Sequence, residues 1–238
     1  MSIDSNDGFA AVVAELQQGV GDSEQLSGAF LMYLPVAGAT VATVGSVMGT
    51  ETLSATGDVA RRLDEWQFDL AEGPCWDAVS QAKPVFETNF PQNGGARWPS
   101  LFSAAREAPI GAIFAFPLTV GALQIGAVDL YTRVPSVLNA EQQGRALALA
   151  EAIGQRVVRD ALASQDSGLT ADTPFSRRLV HQATGLVLAQ VDVSPEDATL
   201  LIRTHAHSSG MSMMEVSERL LAGRLSYARV DGRIEVQS

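Results

Sequence analysis

The sequence predicts two folded parts of different class: an α+β domain over residues 1–162, built as an antiparallel sheet flanked by helices, and a three-helix bundle over residues 174–227. Three observations carry this. Up to Tyr131, strand-like runs rich in Val, Thr and Phe mix with helical periods without strict alternation. After Pro174 the strand signal nearly disappears and apolar residues recur at helical spacing. Between the two, residues 163–173 are small and polar with Gly168 among them, which reads as an interdomain linker.

Each element has its own reason. Asp7 to Gln18 has a helical period. Gly38 to Met48 and Glu51 to Thr56 are rich in Val and Thr and read as paired strands. A helix from Asp58 to Trp66 opens on Asp58, whose side chain suits the cap position. Gly73-Pro74 begins a second helix through Gln81, with Pro74 at the first helical position, where its missing donor costs nothing. Lys83 to Glu87 reads as a short strand, Asn93-Gly94-Gly95 as a turn and Trp98 to Glu107 as a third helix. Gly111 to Val120 and Leu123 to Tyr131 form an apolar hairpin around Gly121. From Ala140 to Leu162, the residues Leu147, Ala150, Ile153, Val157 and Leu162 make one stripe; this helix either covers its own sheet or pairs with a copy of itself as the seam of a homodimer. Gly154 within it marks a close crossing or a hinge.

In the C-terminal part, Phe175 to Gln190 aligns Leu179, Ala183, Leu186 and Val187. Ser194-Pro195-Glu196-Asp197 starts the next helix, with a capping serine and two acids where the helix dipole favours them. That helix runs to about His207 and stops at Gly210. Ser212-Met213-Met214-Glu215 is a capping box that opens a third helix, ending near Gly223. Arg224 to Ser238 has no helical period and is expected to be a flexible tail or a partner-dependent arm, with 228–238 outside the bundle.

Composition bounds the function. The chain has 238 residues, 46% hydrophobic and 18% charged, a globular balance. No apolar run approaches the roughly 20 residues that span a bilayer, and the N-terminus carries two acids and no basic region, so no membrane partner and a cytoplasmic location are expected. A single cysteine, Cys75, excludes an intramolecular disulfide and cysteine metal clusters, and His205 and His207 lie on different sides of a helix, so no structural zinc and no cofactor are expected. The net charge of −11 falls entirely on residues 1–173, whereas 174–238 holds seven Arg and seven acids. Bulk electrostatic binding of nucleic acid is disfavoured. Lys83 is the sole lysine, so nearly every cation is an arginine, suited to bidentate phosphate contacts.

No nucleotide loop, paired histidines or nucleophile elbow is found, and no enzymatic activity is expected. Cys75 at a helix start reads as a nucleophile or as a small core residue. Trp66, Cys75, Trp98, Phe114 and Phe116 read as a pocket over the sheet or as ordinary core. Arg203, Arg219, Arg224, Arg229 and Arg233 read as phosphate contacts or as a solvated face.

The segments Leu63-Asp64-Glu65-Trp66-Gln67, Glu72-Gly73-Pro74-Cys75-Trp76-Asp77-Ala78, Arg97-Trp98-Pro99, Phe116-Pro117-Leu118 and Gly126-Ala127-Val128-Asp129-Leu130-Tyr131 resemble the GAF domains of actinobacterial GAF-ANTAR regulators. His181-Gln182-Ala183-Thr184-Gly185-Leu186-Val187-Leu188-Ala189-Gln190, Leu201-Ile202-Arg203-Thr204-His205-Ala206 and Glu215-Val216-Ser217-Glu218-Arg219-Leu220 resemble an ANTAR domain. This likeness implies an ANTAR bundle that binds RNA stem-loops in leader transcripts and prevents premature termination, through Gln182, Ala183, Thr184, Gly185, Arg203, His205 and Arg219. It implies a GAF domain that senses a signal, such as an unidentified small molecule, or mediates homodimerisation. The alternative is a signal-sensing or DNA-binding regulator without RNA binding. Thr184 stands where many ANTAR domains have lysine, and Thr199 where they have a large apolar residue. The asparagine-lysine-phenylalanine-aspartate-glutamate signature of cyclic-nucleotide GAF domains is absent, and the methionine sulfoxide reductase branch needs several cysteines.

Overall fold

Successive residues of a strand face opposite sides of its sheet, and in the N-terminal unit both sides of the sheet are apolar and covered. A computed structural model describes residues 5–19, 26–44, 49–167 and 177–237. The chain separates into two units, Met1–Phe175 and Ser176–Ser238.

The first unit holds five strands, β1 (Gly38–Thr43), β2 (Glu51–Ala55), β3 (Val85–Glu87), β4 (Ala112–Val120) and β5 (Leu123–Thr132). They pair antiparallel in the order β2-β1-β5-β4-β3. From β4, Ala112, Phe114, Phe116 and Leu118 join Val128 and Leu130 of β5 and Ala39 and Val41 of β1 on one face. Helices α1 (Ser5–Gln18), α2 (Gly28–Tyr33) and α7 (Ala140–Ser167) pack there. Ile113, Ala115 and Tyr131 point to the other face, covered by α3 (Asp58–Leu70), α4 (Pro74–Gln81), α5 (Phe90–Arg97) and α6 (Pro99–Ala104).

The stripe of α7 is spent on this sheet. Ile153 is 0% and Ala150 1% exposed, both in the core with Val157, while Leu147 and Leu162 stay exposed. Gly154 marks a close crossing, because a Cβ there would sit 3.3 Å from the Thr119 carbonyl of β4. Ala150, Ile153 and Val157 are therefore not a dimer seam, since their apolar surface is already removed from water by their own sheet.

In the second unit α8 (Arg178–Val191), α9 (Pro195–Ser209) and α10 (Met213–Leu221) bury Val180, Ala183, Val187, Ala198, Ile202, Met213, Val216 and Leu220. Ser194 caps α9 by accepting from Asp197 N–H at 3.1 Å, and both bonds of the Ser212/Glu215 capping box are made. Gly210 ends α9 at φ +66°. The segment expected to be a tail is instead a hairpin, β6 (Ser226–Val230) and β7 (Arg233–Gln237), joined by Asp231-Gly232 with φ of 47° and 78°. Positive φ at both turn residues is the type I′ geometry that matches strand twist.

Other expectations change for local reasons. Gly57 occupies the cap of α3 with no side-chain bond, leaving Asp58 as a first-turn acid, and the helix runs on to Leu70. Asn93-Gly94-Gly95 is helix rather than turn: a Cβ on Gly94 would meet the Phe90 ring at 2.7 Å and that of Phe102 at 3.2 Å, so glycine lets α5 and α6 fold against each other. The helix expected from Trp98 to Glu107 is α6, which has Trp98 as its cap and Pro99 at the first position, where a missing N–H costs nothing, and which ends earlier, at Ala104. The short α2 carries no sequence signal that the period reveals. Residues 163–167 of the expected linker continue α7, while 168–173, like 45–48 of the first strand and Phe175, lie outside the described residues.

Candidate functional site

The motifs of the first unit converge on one buried polar cluster. Asp129 stands on β5, which is otherwise apolar there, opposite Thr40 of β1. Gln67, on the inner face of α3, donates from Nε2 to Asp129 Oδ2 at 2.8 Å and accepts the Cys75 N–H on Oε1 at 2.9 Å. Gly73, at φ +140°, is required here, because a Cβ would lie 2.4 Å from Gln67 Oε1. Trp76 Nε1 donates to the Gln67 carbonyl at 2.6 Å. Asp64, three residues before Gln67 and so on the same side of α3, accepts from the Thr52 hydroxyl.

Burial and then the neighbouring Asp64 charge push the Asp129 carboxyl up to about 7, against the opposing pull of hydrogen bonds from Gln67 and the Cys75 side chain. Asp129 Oδ1 and Thr40 Oγ1 are buried without a hydrogen bond among the described residues. Around this centre, Glu72 accepts the Ser100 and Leu101 N–H groups at 2.7 and 2.9 Å. Trp98 Nε1 donates to Asp77 at 3.2 Å, with the Arg97 guanidinium 4.1 Å from the Trp98 ring.

The five pocket residues divide among three clusters, Trp66 with Trp98, Phe114 with Phe116, and Cys75 apart from both. Trp98 is in the core beneath α6, Trp66 is half-buried under Arg62, and Cys75 is buried with Val44 and Ala127. Phe114 and Phe116 face the opposite side of the sheet and pack on Phe86 at 5.8 and 5.4 Å. A two-residue periodicity separates them, since Ile113 and Ala115 take the inner face. Asp129, Gln67 and Asp64 form the centre that pocket reading passed over. The available signal was a carboxylate inside an apolar strand, together with two polar residues at i and i+3 on the buried side of a helix.

In the second unit, Gln182 and Gly185 are exposed on α8, on a stripe with Arg178, His181 and Ala189, and Arg219 is exposed on α10. Ala183 is 0% exposed, so as a core residue it is closed to RNA. Arg203 and His205 are half-buried, and Arg203 is partnered within the chain. The two departures from the ANTAR pattern face each other: Thr184 Oγ1 and Thr199 Oγ1 are 3.5 Å apart across α8 and α9, and donate to the Val180 and Pro195 carbonyls. Two hydroxyls thus meet at one crossing of α8 and α9. Among the described residues, no helix is long and apolar enough to cross a membrane, and no group of three or more His, Cys, Asp or Glu is placed to hold a metal ion.

Residues 6–157 match the GAF domain family and residues 173–221 the ANTAR domain family. No curated protein matches the chain. The GAF domain of a phosphoenolpyruvate-protein phosphotransferase from Acinetobacter is similar in fold, with a TM-score of 0.53 at 10% identity over 68% of this chain and 97% of that one. The corresponding domain from Coxiella burnetii has a TM-score of 0.50 at 13% identity over 70% and 100% of the two chains. ANTAR domains are RNA-binding antitermination modules, and GAF domains sense signals. With more than half its length matched, the chain belongs to the GAF domain family, and an ANTAR domain follows its GAF domain.

Proposed function

We propose that the protein is a cytoplasmic, non-enzymatic regulator of the actinobacterial GAF-ANTAR type. Its C-terminal unit binds stem-loops in leader transcripts and prevents premature termination of transcription. Its N-terminal unit responds to a signal, such as an unidentified small molecule, through the face closed by α3 and α4, and the protein works as a homodimer. Two bundles on one dimer engage two loops with an effective concentration on the order of millimolar.

The observation that carries this reading is Gly185. It is exposed in the middle of α8, and a Cβ there would meet nothing within 4 Å. A glycine inside a helix costs about 1 kcal/mol relative to alanine, and no packing among the described residues offsets that cost. Close approach of an outside surface to the helix backbone supplies the missing reason. Gln182 beside it and Arg219 on α10 offer amide and guanidinium groups of the kind that meet unstacked bases and phosphates.

Gel-shift titration with a two-hairpin RNA, in parallel with duplex DNA at equal salt, tests the proposal. Gly185→Ala is expected to raise the stability of the bundle by about 1 kcal/mol and yet weaken RNA binding. Arg219→Ala should weaken binding and reduce the salt slope by about one unit. Preference for duplex DNA would overturn the reading, and so would RNA binding that survives replacement of the hairpin loops.

A further inference from the structure

The C-terminal hairpin has one edge in use and one open. On β6, the Tyr227 N–H turns away from β7 and donates to Gln190 of α8 at 2.9 Å. In an antiparallel ladder alternate residues turn their backbone groups toward the partner strand. The direction of Tyr227 therefore sets the phase: Ser226, Ala228 and Val230 bond to Gln237, Glu235 and Arg233, the residues opposite them. The N–H and C=O groups of Ile234 and Val236 then face outward from the free side of β7, and among the described residues they have no backbone partner.

The side chains have a matching order. Arg233 lies opposite Val230 and Glu235 opposite Ala228, so neither charge meets its opposite across the hairpin. No ion pair among the described residues uses either. Read in the reverse direction, Arg-Ile-Glu is its own electrostatic complement.

We propose that β7 pairs antiparallel with β7 of a second copy of this chain, about a two-fold axis at Ile234. In that register Ile234 faces Ile234 through a pair of backbone hydrogen bonds, and each Arg233 stands opposite a Glu235. These charged pairs fall at the non-hydrogen-bonded positions, where side chains are closest. The neighbouring register, centred on Glu235, sets two like carboxylates face to face and is disfavoured. On the outer side of β6 the Tyr227 N–H is taken by Gln190 of α8, and a two-fold contact uses the same edge of both copies, so the assembly closes at two rather than growing into a fibre. A second copy is favoured over an unrelated strand because the charge order is self-complementary. Five residues of edge are small beside the roughly 1,200 Å² of a stable interface, so the pairing is weak and becomes substantial only at high protein concentration. This inference gives the proposed homodimer a specific contact, and its test contains no RNA, so its failure leaves RNA recognition standing.

Hydrogen exchange of the full chain, from micromolar to near-millimolar concentration, reads the contact directly. The Ile234 amide is expected to slow by about tenfold with concentration as the edge pairs. Ile234→Pro removes an outward N–H while leaving the hairpin's own ladder bonds, and should abolish the dependence. Arg233→Glu should abolish it too, and combining it with Glu235→Arg should restore it, which a merely structural role would not do. If Ile234→Pro unfolds the hairpin, the charge reversals decide. Exchange at β7 that does not vary with concentration overturns the proposal even if sedimentation reports a dimer, as does a double reversal that fails to restore protection.

Discussion

Asp129 holds its proton far above the range of an ordinary carboxyl, to about 7 rather than 3.8, chiefly because it is buried. Folded protein therefore carries a proton that the unfolded chain has released, and stability must fall as pH rises from 3.8 to about 7, then level off. Asp129→Asn keeps an acceptor for Gln67 and puts a fixed donor in place of the carboxyl proton. Thermal melts across this window should show the wild type losing stability relative to the variant, on the order of 1 kcal/mol per pH unit; parallel curves would refute the assignment. Cys75 is buried beside the same carboxyl. Cys75→Ser, still a donor, should leave RNA binding unchanged, and a thiol reagent should label the wild type only at the rate at which α4 opens. That Cys75 sits in a core was legible in the sequence as one of two readings. Its partner was not, because a hydrogen bond between residues more than fifty positions apart leaves no local pattern.

At the scale of elements, periodicity located the sheet strands, α4 and the three bundle helices, because each carries its own signal in a cap, a proline or an alternation. It failed where tertiary packing chose between conformations. Gly94 and Gly95 look like a turn until Phe102 requires their missing side chains, and the α7 stripe serves a sheet as well as it would serve a second helix. The hairpin at Asp231-Gly232 was legible, since that dipeptide between Val230 and Arg233 is a strong hairpin signal, but a search for helical period passes it by. Ile153 supplies the test of α7. With the side chain fully buried on the sheet, Ile153→Ala should destabilise the first unit by about 2–5 kcal/mol. Ile153→Glu should unfold that unit rather than yield a folded monomer, to be read by near-ultraviolet circular dichroism.

Over the whole molecule, charge is partitioned. The acidic surplus lies before residue 174, and the remainder is balanced, so the proposed RNA binding calls for a few placed cations rather than a basic field. In the second unit Arg178, Arg219, Arg224, Arg229 and Arg233 are exposed, Arg229 also donating to the Val191 carbonyl. With about five phosphate contacts at most per bundle, the slope of log affinity against log salt for a single hairpin should be no steeper than about −4.5. A steeper slope, measured by fluorescence anisotropy, would show that other cations take part.

The hairpin also separates two meanings of a domain's end. By likeness to its relatives the ANTAR domain stops at residue 221. By burial it does not: Leu225 and Tyr227 are almost fully enclosed, and the Tyr227 hydroxyl, its proton held up to about 12 by burial, donates to the Leu201 carbonyl of α9 at 3.0 Å. The inherited unit is thus shorter than the folding unit. A chain cut at residue 221 would uncover Gln190 and Val191 at the end of α8 and the Leu201 carbonyl in the middle of α9, so any measurement of this unit's stability must count residues that the family boundary leaves out.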